Sequence, residues 1–374
     1  MFTRKKLYAL AAAGVLAMGA SACGEDEEEP AASGGGTETE QSAEGGGKAG
    51  KVAVLLPDSK SSVRWETVDR PFLQKAFDDA GVEAEIVNAE GDKSTQQQQA
   101  EQAITNGAKV ILLTNLDSGS GAAIAANAKA QGVKVIDYDR LTLNTDATDY
   151  YVSFDNEAVG KLQGQGLVDC LGEKQGARVA VLNGSPTDNN ATLFKNGYDS
   201  VINPKFESKE WTEIDDQSVP DWDNQKALTI FEQMLQKADN KVDGVLAAND
   251  GLANAAISAI KQRKLPQVPV TGQDATAQGI TNIIKGDQCM TVYKAVKKEA
   301  DAASQLAIAL AKGQEPNVQT KPINNEMKDV PSVLLEPVAV TKDNITEYMN
   351  EPDFPKKEDI CAGDAAALCA EVGL

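Results

Sequence analysis

Short apolar runs alternate along this chain with longer stretches of helix-periodic sequence. KVAVLL (51–56) precedes a helical pattern at 66–80. EAEIVNA leads to STQQQQAEQAITNG, AKVILLTN leads to SGAAIAANAKAQG, and VKVIDYD closes a first series. Strands of four to eight residues alternating with helices of ten or more predict βαβ units on a parallel sheet. In this rhythm the glutamines at 96–99 read as the wet face of a helix capped by Ser94 or Thr95. The pattern breaks at 141–150 and then restarts. YYVSFDNEAVGKLQGQGLVDCLG is a strand, a cap and a helix. ARVAVLN, a helix around 190–202, KEWTEI, a helix at 223–238, VDGVLAA, a helix at 251–263 and QVPVTG follow. After a helix near 275–285, the strand CMTVYK (289–294) runs into a long helix at 296–313.

Two series of βα units predict an α/β protein of two doubly wound parallel-sheet lobes. The first crossing between them falls near 150, and MTVYK and PSVLLEPVAV (331–340) return across the same junction. The expected division is 51–153 plus 295–333 for the first lobe and 154–294 plus 334–355 for the second. A Cys-containing tail occupies 356–374.

A strand buried on both faces has no structural need for a charged ending, yet several here have one. KVIDYDR ends in Asp139 and Arg140, LLPDSKSSVRW supplies Arg64 and Trp65, and MTVYK ends in Lys294. GSPTDNNA carries Asp188, Asn189 and Asn190, of which one suffices to cap the helix that follows. In AANDG, Asp250 reads as the cap and Asn249 is free; TGQDA repeats the logic with Asp274. Ligands of open α/β sheets bind beyond the carboxyl ends of the strands, so these groups are expected to line a cleft between the lobes. Carboxylates and amides accept and donate to diols, and an indole face stacks on the C–H face of a pyranose; the set suits a neutral sugar. The competing readings are a surface turn with a weak ion pair at Asp139–Arg140 and a hydrated surface lysine at 294. Two of the acids could in principle form a glycosidase pair, but each has a basic or amide group nearby to hold it ionised.

Composition narrows the chemistry. Histidine is absent, which excludes Ser–His–Asp triads, His-based proton transfer and His metal sites; no catalytic residue and no cofactor is expected. MFTRKK, LYALAAAGVLAMGA and ASAC read as an export signal at 1–22, too short in its apolar part to span a bilayer. Cys23 stands where a lipoprotein signal places its acylated cysteine, although Ala20-Ser21-Ala22 also suits ordinary signal peptidase. Residues 23–50 are acidic and Gly-rich, with one lysine against eight acids, and are expected to form a disordered tether. Cleavage after 22 removes Arg4, Lys5 and Lys6 and takes the formal charge from −20 to −23, which argues against nucleic acid. Cys170, Cys289, Cys361 and Cys369 allow three disulfide pairings in an exported protein. The favoured one joins Cys361 to Cys369 and Cys170 to Cys289; free buried thiols are the alternative.

In order along the chain, SSVRW, YDR, YVSFDNEAVG, GSPTDNNA, AAND, TGQDA, MTVYK and NNEMKDVPSVLLEPVAV resemble the xylose-binding proteins of bacterial ABC sugar importers. The resemblance runs from about Lys51 to Met349. It implies a type I periplasmic-binding fold, two lobes joined by three crossing strands that close on one monosaccharide. Carried over by position, the sugar contacts fall on Arg64, Trp65, Asp139, Arg140, Asp188, Asn190, Asn249, Asp274 and Lys294. A second stacking aromatic matches Trp222 in VPDWDNQKAL. It also implies a monomeric receptor with no enzymatic role, which hands its sugar to a membrane permease whose ATPase is a separate chain. PDSKSSVRW resembles as well the first loop of relatives that bind several aldoses, including glucose and galactose. The four cysteines and the tail after 355 are not part of the family pattern. Two further readings share the fold. A sugar-responsive transcription regulator needs a basic helix-turn-helix where 24–50 is acidic, and a sensor serving a membrane kinase is indistinguishable by sequence.

Overall fold

The computed structural model describes residues 49–374; the expected signal segment 1–22, Cys23 and the expected tether up to Lys48 lie outside the described residues. Ala49 and Gly50 already belong to the fold. Ala49 packs on the core, and the Gly50 amide donates to the Ala311 carbonyl at 2.8 Å.

The first series supplies five parallel strands: β1 (Lys51–Leu56), β2 (Ala84–Asn88), β3 (Ala108–Leu113), β4 (Lys134–Tyr138) and β5 (Tyr150–Phe154). Their helices are α1 (Arg70–Asp79), α2 (Lys93–Thr105) and α3 (Ser118–Ala130). Alternation along β1 sets the layers, because successive side chains point to opposite faces. Val52, Val54 and Leu56 join Leu73 and Phe77 of α1 on one face, whereas Ala53 and Leu55 join α2 and α3 on the other.

The second lobe starts with α4 (Asn156–Leu171), capped by Asp155, and continues through β6 (Ala177–Asn183), α5 (Asn189–Glu207) and β7 (Trp211–Ser218). Then come α6 (Asn224–Lys237), β8 (Gly244–Ala247), α7 (Asp250–Gln262), α8 (Ala277–Lys285) and β9 (Met290–Tyr293). The chain returns to the first lobe in α9 (Val296–Ala311), whose Ala303, Leu306 and Ala307 complete the core beside α1. It stays there for β10 (Lys321–Asn324) and β11 (Asp329–Leu335), and leaves again as β12 (Val338–Thr341). The first sheet is ordered β10-β11-β5-β4-β3-β1-β2; the second is β7-β6-β8, and β12 pairs antiparallel with β9. The lobes are thus connected three times, at Asp155, at Lys294–Ala295 and at Glu336–Pro337. This is the type I periplasmic-binding architecture.

Several local expectations are corrected. The glutamine helix is capped by Asp92, which accepts from the Thr95 amide at 2.6 Å, rather than by Ser94 or Thr95. Only Gln97 and Gln98 face solvent; buried Gln96 donates to the Thr114 carbonyl and Gln99 to that of Asn88. QVPVTG makes a single bridge, Val245 with Val270, because Pro266 and Pro269 have no amide to give a ladder. The strand expected as KEWTEI begins at Trp211, since α5 runs on to Glu207 and Lys209 turns with φ 62°.

The structure joins Cys170 to Cys289, between the end of α4 and the start of β9, and Cys361 to Cys369. The tail packs on the second lobe. After α10 (Ile345–Tyr348) come α11 (Lys357–Ile360) and α12 (Ala366–Glu371), and Ile345, Phe354, Ile360 and Cys369 share a core with Ile280, Ile283 and Tyr293.

Candidate functional site

All ten residues singled out from the strand ends and the motif match line one cavity between the lobes. In the first lobe, the loop after β1 is closed by Asp58, which accepts from the Ser61 amide and hydroxyl at 2.5 and 2.7 Å. A π-turn (Trp65–Asp69) then leads into α1, and Arg64 and Trp65 are left buried against the cavity. Past β4, Asp139 adopts φ 64°, a left-handed conformation an aspartate tolerates at modest cost. Its amide still donates to Val152 at 2.8 Å, so the strand edge is kept while the chain turns.

From the second lobe, Asp188 caps α5 and accepts from the indole N–H of Trp222 at 3.0 Å. Trp222 sits in a turn with φ 55° and presses on Gly184, where a Cβ would overlap its ring. Phe194 meets Trp222 edge-on at 6.4 Å. Asn249, not Asp250, caps α7, with Oδ1 accepting from the Leu252 amide at 2.9 Å. It faces the cleft as well, its Nδ2 donating to Ser61 O of the first lobe at 3.3 Å. Asp250 is instead buried, accepting from the Thr276 amide, Gln288 and Thr291. Asp274, with φ 97°, accepts from Ser62 of the opposite lobe at 2.9 Å.

The cations and carboxylates interlock. Arg64 donates two bonds to Asp69 (2.9 and 2.8 Å), one to Glu299 (2.6 Å) and one to Asp139 (3.0 Å). Lys294 Nζ lies 3.5 Å from Asp139 and 3.6 Å from Asp274, and Arg140 Nε lies 3.0 Å from Asp188. Asn190 Nδ2 donates to Asp139 Oδ1 at 3.0 Å across the cleft. Burial pushes the Asp139 carboxyl up, but Lys294, Arg64 and Arg140 outweigh it and hold the group below its ordinary range. Glu299 behaves oppositely. Burial, with Asp139 and Asp69 nearby, pushes it up to about 8 despite Arg64.

Arg64, Arg140 and Lys294 therefore face Asp139, Asp188 and Asp274 around the cavity. Each of these charges already has an opposite partner, so the lining offers no free charge to select an anion or a cation. The pairs do leave fixed donors and acceptors, between one indole from each lobe, for a neutral polyhydroxyl compound. Asp139, beside the Lys294 amine, is held ionised rather than as the protonated acid that glycoside cleavage needs.

Ser61, Ser62, Phe194 and Gln273 also line the cavity and were not singled out. The serines stand inside SSVRW and Gln273 beside Asp274, and Phe194 follows Asn190 by one helical turn, so their positions were readable. Asp69 and Glu299, which hold Arg64 from behind, gave no such signal.

A model of the periplasmic binding protein domain family matches residues 52–315. The D-xylose-binding periplasmic protein of Escherichia coli (strain K12) is 37% identical over 311 residues, covering 83% of this chain and 92% of its own. The multiple sugar-binding periplasmic receptor ChvE of Rhizobium radiobacter is 34% identical over 330 residues, with the same coverage. A carbohydrate transporter solute-binding protein from Chloroflexus aurantiacus, solved with D-glucose, superposes with a TM-score of 0.76 at 33% identity, over 82% of this chain and 97% of that one.

Proposed function

The chain belongs to the periplasmic binding protein family as a type I sugar-binding receptor of ABC importers, and we propose that its preferred ligand is D-xylose. Its relatives are binding proteins of transport, not enzymes. The observation that carries the reading is the charge-balanced ring of Arg64, Arg140, Lys294, Asp139, Asp188 and Asp274 between Trp65 and Trp222. In this reading Asp139, Asp188 and Asp274 accept sugar hydroxyls. The three cations, Asn190 and Asn249 donate, and the indoles cover the ring faces. The two lobes, joined at Asp155, Lys294–Ala295 and Glu336–Pro337, close on the sugar, because only the closed form lets both touch it. The loaded receptor, a monomer tethered to the membrane through acylated Cys23, then docks on its permease.

A second reading is supported by the SSVRW loop and by the 34% identity to a multiple sugar-binding receptor: a site shared among aldoses, glucose and galactose included. Calorimetric titration of residues 49–374 with D-xylose, D-glucose, D-galactose and L-arabinose separates the two. We expect one-to-one xylose binding, at least tenfold tighter than any hexose. Asp139→Ala and Asp274→Ala should each weaken it about 100-fold, the loss of two charge-assisted hydrogen bonds. Tighter hexose binding would transfer the protein to the second reading, and no heat with any of the four sugars would sink both.

A further inference from the structure

Lys294 is the one cleft cation that lies on a connection between the lobes, and that connection is gripped from outside. The chain leaves the second lobe after Tyr293 and enters the first at Val296, so the Lys294 ammonium is placed by the backbone of a crossing segment. A helix leaves the amides of its first turn without intrahelical partners, and a side chain at the N-cap ordinarily takes one of them. The N-cap of α9 is Ala295, which has no such side chain. The missing acceptor comes from the segment between α10 and α11. Asp353 Oδ2 accepts from the Lys297 amide at 3.1 Å, while its Oδ1 accepts from the Tyr293 hydroxyl at 2.7 Å. One carboxylate thus holds residues on both sides of Lys294, one in each lobe.

Asp353 is itself firmly seated. Next to it, Phe354 is 5% exposed and packs edge-on against Tyr293 at 5.3 Å, and Tyr348 closes the same aromatic cluster at 5.6 Å from Tyr293. Beyond it, the Ile360 carbonyl accepts from Thr281 of α8 at 3.1 Å, just before the Cys361–Cys369 disulfide. This segment lies past residue 315, where the family match ends.

We propose that Asp353 is a positioning residue for the sugar site: by capping α9 and holding Tyr293 it fixes the crossing segment and so sets the Lys294 ammonium between Asp139 and Asp274. A lysine on a flexible stem must lose rotamer freedom to serve a ligand, and a rigid backbone beneath it reduces what remains to be fixed. The inference rests on the reading that Lys294 contacts the sugar.

The test is a double-mutant cycle on residues 49–374 with D-xylose, read by calorimetry and by thermal unfolding. Asp353→Ala is expected to raise Kd about tenfold, the scale of one lost cap. Asp353→Asn, which keeps an oxygen for the Lys297 amide, should recover most of that loss. In a Lys294→Ala background, Asp353→Ala should change Kd less than about twofold, since a positioned group that is gone cannot be mispositioned. Unchanged affinity in Asp353→Ala, or the same tenfold loss without Lys294, would overturn the proposal. Should Asp353→Ala fail to fold, the comparison moves to Tyr293→Phe, which removes the hydroxyl that Asp353 accepts from, alone and with Lys294→Ala. Coupling to Lys294 in that set supports the proposal and its absence overturns it. A wild-type protein that binds no sugar would remove the functional reading and this inference with it; a wild type that binds while the cycle shows no coupling removes the inference alone.

Discussion

Glu299 sits behind Arg64, fully buried, with one carboxyl oxygen bonded to the guanidinium and the other without a hydrogen-bond partner. Asp69, Asp139 and Glu299 all press on the same cation, and burial does the rest: Glu299 is pushed up to about 8. Asp137 and Asp250, both buried, are pushed up to about 7 and about 6. A carboxyl raised in the folded state holds its proton there after the unfolded chain has lost it. Its contribution to stability is therefore complete below the ordinary carboxyl range and drains away as pH rises through the folded value. Thermal midpoints measured by calorimetry should fall between pH 5 and pH 9. Glu299→Gln, which stays neutral in the folded and the unfolded chain, should match wild type near pH 4, exceed it at pH 7 and flatten the fall between them. A wild-type curve level from pH 6 to 9 would mean that Glu299 is ionised as a partner of Arg64. Asp139, held low, contributes with the opposite sign and is lost only in acid. The two carboxylates also differ in legibility. Asp139 betrayed itself by ending a buried strand, whereas Glu299 stands in KKEADAAS, where an acid on a helix is indistinguishable from an exposed one until α9 is docked.

At the level of elements, the site depends on how closely α4 and α5 meet. A Cβ on Gly160 of α4 would overlap the Phe194 carbonyl of α5, the helix that carries Asn190 and Phe194 to the cleft. Gly160→Ala should destabilise the protein by about 1–3 kcal/mol through overpacking, checked by urea unfolding, and should weaken sugar binding because α5 is displaced. Sugar affinity equal to wild type would show that the strain is absorbed elsewhere. The Cys170–Cys289 bond closes a loop of 119 residues wholly inside the second lobe. Cys170→Ser with Cys289→Ser should cost about 4 kcal/mol in the same assay, with the cleft geometry and Kd retained. Element boundaries were legible where strands are buried and caps are local. They were misread where two candidates stand side by side. Asn249 and Asp250 both suit an N-cap, and only the cluster of Thr276, Gln288 and Thr291 around Asp250 decides between them.

Over the whole molecule, two lobes and their crossings followed from the rhythm of strands and helices, because burial on both faces forces near-continuous apolar runs. Edge strand β10, with the burial pattern of a solvated hairpin arm, and the docked tail did not follow, since neither carries such a run. The three connections have a further consequence, for the order in which the polypeptide appears. β5 gains its partner β11 only when residues 332–335 exist, and the core beside α1 waits for α9. The fragment 51–154 should therefore fail to fold alone, giving no cooperative transition in circular dichroism; a sharp unfolding curve would contradict this. The lobe begun first is finished almost last, and its closing contacts join distant parts of the chain, which makes them slow to form. For an exported protein that delay is useful. A polypeptide passing outward end-first cannot complete either half while its remainder is still inside, so it stays threadable until translocation is nearly done.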